Sequence, residues 1–474
     1  MRNRVILCVT CVLMVTAAIR ADVRFETISE GIQLGRISVP ENRSAGTDRT
    51  ITLAFARLAS TAKTPGAPIV YLSGGPGQPA TPMARNAGSV ARFAALREIG
   101  DVILLDQRGT GLSEPSLRCP EGEPPPLDAF TDAKANARGR VILACMDALG
   151  ARGIDLGAYN TRESADDIDD LRRALGAPKV SLVAFSYGTH LALAAMRRHG
   201  RSLERVVLLG TEGPDHTWKL PSTYDTHIAR LARMAAADPA VAKDVPDFEA
   251  LLRRVVAKLS AEPVTVRVRD ARTKSDIELP VGATALRRFL LQDFGDTSDL
   301  PHFPAMIHQL DRGETALFSW FVEKRWNGLG RGSAMYFAMD CASGVSPARR
   351  ARIDQEARHS VMGNEMNAGY SDLCPQLGIA DLGEEFRQPV VTGVPALFIS
   401  GALDANTPPF QAEELRWGFT SSTHLVVENA GHEQTLPEPA VQKAIVDFLK
   451  GTDVRGRTIA LPPVKFVPVT TPRR

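Results

Sequence analysis

The sequence predicts an α/β fold: a mostly parallel central sheet flanked by helices, with a mainly helical insertion between late strands. Compact apolar runs recur at 69–72, 102–105, 180–184, 206–209, 396–400 and 425–427, most of them separated by helical segments. Strands alternating with helices imply a parallel sheet covered on both faces. Between Pro214 and Pro389 that rhythm stops and helical periodicity takes over, as in 226–236 and 248–259. The composition is that of a globular chain, 474 residues with 44% hydrophobic and 23% charged, which excludes disordered and collagen-like classes.

The elements follow in chain order. Residues 1–21 read as a secretory signal, because Arg2 and Arg4 precede an apolar run from Val5 to Ile19 that is short for a membrane span. Cleavage is expected near Ala21, with Ala17 or Ala18 as alternatives and an uncleaved anchor as the rival. Residues 22–213 form the first part of the sheet unit and open antiparallel, with β-like runs at 33–39 and 50–58 around the turn-forming 41–48. Residues 163–175 are a helix by period, and the face bearing Asp166, Asp167, Asp169 and Asp170 is expected to be solvated. The insertion spans 214–389, and 390–450 completes the sheet unit. The tail, 451–474, is rich in proline and expected to pack loosely.

Charge calls for no polyanionic partner. The 56 Lys and Arg nearly cancel the 54 Asp and Glu, so neither nucleic acid nor a charged membrane surface is implied. No stable membrane association is expected once the signal is removed, and the oligomeric state is left open. Cys8 and Cys11 lie in the signal. The remaining Cys119, Cys145, Cys341 and Cys374 are an even set in an exported chain, and sequence order pairs Cys119 with Cys145 and Cys341 with Cys374. Free buried thiols are the alternative; no Cys-x-x-Cys spacing suggests a metal site.

The chemistry gathers where the predicted strands end. Ala184-Phe185-Ser186-Tyr187-Gly188 follows a strand and opens a helix, a variant of the G-x-S-x-G turn that lifts a serine hydroxyl above the sheet edge. Asp404 lies just beyond the run 396–400, and His432 follows 425–427. Nucleophile, acid and base thus come in the order this turn requires, each at a carboxyl end, where open α/β sheets bind ligands. Stabilising an oxyanion takes backbone N–H groups. Tyr187 supplies one, and the loop Ser73-Gly74-Gly75-Pro76-Gly77 supplies the other, from Gly75 or alternatively Gly77.

Five stretches resemble the α/β-hydrolase family of tripeptidyl and prolyl aminopeptidases, a group of secreted serine exopeptidases. They are G-G-P-G at Gly74 to Gly77, D-Q-R-G-T-G-L-S at Asp106 to Ser113, Y-N-T-R-E-S-A-D-D-I at Tyr159 to Ile168, S-Y-G-T at Ser186 to Thr189, and G-A-L-D-A-N-T-P-P at Gly401 to Pro409. The resemblance implies an α/β-hydrolase fold and a serine hydrolase with Ser186, Asp404 and His432 as its triad. It also implies secretion, a helical cap limiting access to the N-terminal end of short peptides, and no metal or organic cofactor.

Three departures stand out: Ser73 replaces the His that commonly precedes G-G-P-G, Ala184 replaces the first elbow Gly, and Ala342-Ser343 follow Cys341 where the family often has an acid. Glu212 or Asp340 would then hold a substrate ammonium, or else serve as a structural acid. Asp106 and Arg108 are expected to brace the oxyanion loop. His190 is expected to be packed, and His216, His302, His359 and His424 lack strand-end context or an evident acid partner. Trp218, Trp320, Phe321 and Trp326 are pocket candidates for which core packing is the stronger expectation. The rival functions are a carboxylesterase acting on small acyl esters and a non-catalytic binding protein on the same scaffold.

Overall fold

The computed structural model describes residues 23–119, 126–132, 137–328 and 333–470, so the segment 1–21, expected to be a signal, lies outside the described residues. Among the described residues twelve strands occur in chain order: β1 (Arg24–Ser29), β2 (Ile32–Pro40), β3 (Thr50–Leu58), β4 (Ile69–Leu72), β5 (Val102–Leu105), β6 (Val180–Phe185), β7 (Leu203–Leu209), β8 (Val264–Asp270), β9 (Ser275–Val281), β10 (Ala396–Gly401), β11 (Ser422–Glu428) and β12 (Ile459–Ala460). Ten of them form one sheet in the order β1-β2-β3-β5-β4-β6-β7-β10-β11-β12. Its first three pairings are antiparallel and the rest parallel.

The apolar runs become strands because they are buried on both faces, where every residue gains from leaving water. In β6, Val180, Leu182 and Ala184 face one core cluster while Val183 and Phe185 face the other. The helices Thr161–Ala174 and Tyr187–His199 cover the first face through Ile168, Leu171, Leu191 and Ala195. The helix Pro439–Leu449 covers the second through Val441, Ile445 and Phe448. Parallel register then brings the carboxyl ends of β4, β6, β7, β10 and β11 to one edge, with Phe185 opposite Leu209 and Leu209 opposite Ile399.

Between β7 and β10 the chain is mainly helical, but β8 and β9 form a separate antiparallel hairpin that the sequence analysis missed. The hairpin alternates buried and exposed residues over only seven positions per strand, a short signal inside a helical stretch. Five helices, Pro221–Ala237, Phe248–Ala261, Ala283–Asp293, Phe303–Asp311 and Ala316–Gly328, share a core with it. The helices Ala334–Ser343 and Ala368–Leu377 instead join the core of the main sheet. Phe321 and Trp326 are core residues of the first group, and Trp218 packs in the main core.

The disulfides Cys119–Cys145 and Cys341–Cys374 are both formed, with Cα atoms 5.5 and 5.3 Å apart. The second clamps the two helices just described.

Two expectations are corrected. The acidic face of the helix Thr161–Ala174 is not solvated: Glu163, Asp167 and Asp169 are buried. Arg43 pairs with Glu163, Asp167 and Asp170, and Arg108 makes two hydrogen bonds to Asp167. The loop after β2 and the D-Q-R-G segment cover that face, so the charges are buried but paired. The tail is not loose either. Val427 and Glu428 of β11 pair with Ile459 and Ala460, Phe466 is buried, and its N–H donates to Asp238 at 3.0 Å. Val467 N–H donates to Pro301 O, so the tail straps sheet to insertion.

Candidate active site

The turn after β6 places Ser186 at φ 54° and ψ −126°, a backbone conformation that L-residues rarely adopt. Such an outlier costs about 1–3 kcal/mol and persists only when its surroundings impose it. Here the imposing features are close approaches. A Cβ on Gly188 would lie 2.2 Å from Leu72 O, and one on Gly74 would lie 2.9 Å from Ser186 Cβ. The glycine loop therefore packs directly on the serine through Gly74, and Gly75 follows at φ 117°. Tyr187 opens the helix behind the serine.

Ser186, Asp404 and His432 meet although up to 246 positions separate them. His432 Nε2 is 2.9 Å from Ser186 Oγ, and its Nδ1 is 2.8 Å from Asp404 Oδ2. The Asp404 carboxylate also accepts from Asn406 N, Thr407 N and the Thr407 hydroxyl, the last at 2.6 Å. Burial alone would raise this carboxyl, but His432 and the Thr407 donors outweigh it and hold it at about 2. Burial likewise opposes charge on His432, yet Asp404 prevails and the imidazole is shifted up. The insertion closes over the histidine at Gly295, whose carbonyl accepts from His432 N at 2.6 Å. A Cβ at Gly295 would come within 2.8 Å of Asn406. A hydroxyl, an imidazole and a carboxylate so arranged can pass the serine proton to the imidazole while the carboxylate fixes its tautomer.

The pattern that defines the alpha/beta hydrolase fold matches residues 67–439. The chain belongs to the alpha/beta hydrolase family. It is 28% identical to YuaR of Escherichia coli (strain K12) over 90% of this chain and 87% of that protein. It is 25% identical to the tripeptidyl aminopeptidase of Streptomyces coelicolor over 93% and 84%. Serine protease Hip1 of Mycobacterium tuberculosis is 25% identical over 52% of this hydrolase and 50% of its own length.

Both acids named as ammonium holders are buried in this hydrolase. Glu212, three residues beyond β7, receives a hydrogen bond from Lys219 Nζ at 2.7 Å. Burial would raise its carboxyl, but Lys219 and His190 outweigh it and the net shift is downward. Asp340 accepts from the Tyr370 hydroxyl at 2.7 Å, and Tyr370 meets the Tyr336 hydroxyl at 2.5 Å. Burial pushes Asp340 well above the usual carboxylate range, and Glu212 adds to the rise. Tyr336 and Tyr370 also line a cavity of about 630 Å³ with Phe337, Leu143, Arg288 and Glu365. The buried Tyr224 hydroxyl has no hydrogen-bond partner among the described residues, and burial, with smaller contributions from Tyr336, Asp404 and Glu212, pushes it well above the usual phenol range.

The supporting residues differ in part from expectation. Asp106 does brace the glycine loop's continuation, accepting from Ala80 N, Thr81 N and the Thr81 hydroxyl. Arg108 does not: it bonds Asp167 and the carbonyls of Pro40, Glu41 and Ala158. His190 is packed, bonding Gly213 O and Ser343 Oγ. His216 and His424 have acid partners after all, Glu414 at 3.2 Å and Glu413 at 2.5 Å.

Thr407 and Lys219 were missed. The T-P-P after Asp404 was a visible signal for the first; nothing in sequence marks the second. Thr407→Val should lower kcat/KM about tenfold by removing a hydroxyl donor to a charged group, while Thr407→Ser retains activity. Steady-state kinetics on the two variants check this, and equal losses in both would mean that shape rather than the hydroxyl matters.

Proposed function

We propose that this hydrolase is an exported serine aminopeptidase, periplasmic or extracellular, that removes N-terminal residues or short peptides from peptide substrates. Ser186 attacks the scissile carbonyl, His432 takes its proton, and Asp404 holds the imidazole and balances its charge. The Tyr187 and Gly75 amides stabilise the oxyanion. The amine leaves with a proton from His432, and water, activated by the same histidine, releases the acyl group from Ser186.

The observation that carries the choice of peptidase over esterase is a pair of buried acids: Glu212, two residues beyond the Gly210 that packs on His432, and Asp340, within electrostatic reach of Glu212. Small acyl esters offer such acids nothing to bind, whereas a free N-terminus carries the charge that matches Glu212, whose carboxyl is shifted down, and can donate to Asp340. Tripeptidyl aminopeptidases among the relatives support the same reading. The apolar run 5–19 and the two disulfides support export.

Hydrolysis of a matched panel tests the proposal: free-amine aminoacyl and tripeptidyl anilides, their N-acetylated forms, and short acyl esters. Preference for the free-amine anilides supports it. Cleavage of the acyl esters alone would retain the serine hydrolase and discard the aminopeptidase.

The pH profile gives a second check. His432 must be neutral to accept the serine proton, and its folded pKa lies above the ordinary 6.5. With an N-acetylated ester, which has no titrating amine, kcat/KM should therefore rise with pH through an apparent pKa above 6.5. An acid limb below 6.5 would mean that burial, and not Asp404, sets the titration of His432.

A further inference from the structure

We infer that Lys219 is the built-in counter-ion of the amine subsite, occupying part of the carboxylate a substrate ammonium needs and so setting the preference for free amines. The inference rests on the aminopeptidase reading and adds a specificity-determining residue to it.

Geometry supports it first. Lys219 Nζ bonds one oxygen of Glu212, Oε2; the other, Oε1, makes no hydrogen bond among the described residues, nor does Asp340 Oδ1. Two carboxyl oxygens thus carry no hydrogen bond among the described residues, beside one that a lysine already holds. The lysine is also fixed at its root. Its N–H donates to Asn367 Oδ1 and its carbonyl accepts from Asn367 Nδ2, both at 2.8 Å, and Asn367 is fully buried. One residue earlier, Trp218 O accepts from Arg349 Nε. A normally flexible side chain is thereby aimed at Glu212 from a clamped backbone, with only 11% of it exposed.

Charge supports it second. Lys219 acts on His432 and on Asp340 as well as on Glu212, so its ammonium lies within electrostatic reach of the reacting groups. It cancels the charge of Glu212, and an incoming ammonium meets both the open oxygens and a like charge at short range. That repulsion disfavours a second cation where water is largely excluded. A buried ion pair is weak evidence of a stabilising role, since desolvation offsets much of the attraction.

The test compares kcat/KM for alanine ethyl ester with that for its N-acetyl form, in the full-length protein. Removing the charge should raise the free-amine to N-acetyl ratio about tenfold in Lys219→Met. Lys219→Gln, which keeps a donor toward Glu212, should show the same rise, and Lys219→Arg should hold the wild-type ratio. An unchanged ratio in the neutral variants would overturn the inference, as would loss of folding in both, since the pair would then only tie the segment after β7. Because esters report the ratio whether or not amides are cleaved, failure of the aminopeptidase reading shows separately, as absent anilide cleavage by the wild type.

Discussion

Ser186→Ala is expected to lower kcat by about six orders of magnitude and to abolish labelling by a fluorophosphonate probe. The change removes one oxygen, whose hydrogen-bond partner in the structure is His432 Nε2. The strained turn, set by Gly74 and Gly188 against Ser186 and Leu72, accepts alanine as it accepts serine. Thermal stability should accordingly stay close to that of the wild type, which separates lost chemistry from lost folding. Labelling and rate measured on the same preparations decide the matter. A variant that kept activity within tenfold of the wild type would reduce Ser186 to a serine in a turn.

Asp404→Asn is expected to cost about four orders of magnitude in kcat with little change in KM. The amide has nearly the carboxylate's shape, so the loss is electronic. The carboxylate now faces His432 Nδ1 at 2.8 Å and requires a proton there, which leaves Nε2 free to accept from Ser186. An amide that turns its NH2 toward Nδ1 demands the opposite tautomer, and Nε2 then carries the proton it should receive. The backbone donors of Asn406 and Thr407 and the Thr407 hydroxyl favour an oxygen acceptor at both carboxylate positions, so the amide also strains that cradle. Burst kinetics should show acylation slowed while substrate affinity holds; a loss confined to KM would argue that Asp404 acts on binding instead.

Much of this site is legible in the sequence because its parts are local. The serine turn needs small residues in the adjacent strand and helix, and each is within two positions of Ser186. Asp404 and His432 each follow an apolar run, so their place at a strand end is visible without knowing the fold. The acidic helix face shows the limit. Period marks which side of Thr161–Ala174 is apolar, but the basic groups covering the other side, Arg43 and Arg108, are more than fifty residues away. The hairpin of β8 and β9 escaped because two strands of seven residues within a helical insertion carry too little periodicity of their own.

By itself the sequence indicated the alternation of strand and helix, the order in which Ser186, Asp404 and His432 follow their strands, and a pairing of the four cysteines that the structure then formed. Those properties are written in local patterns and in the order of the motifs, which the chain carries before it folds. Tertiary structure alone decided that Glu212 would face Lys219, that Asp340 would be buried beside Tyr370, and that the tail would strap the sheet to the insertion. Whether a carboxyl is ionised, neutral or neutralised by a partner depends on burial and on charges brought near from distant segments. No spacing along the chain encodes that.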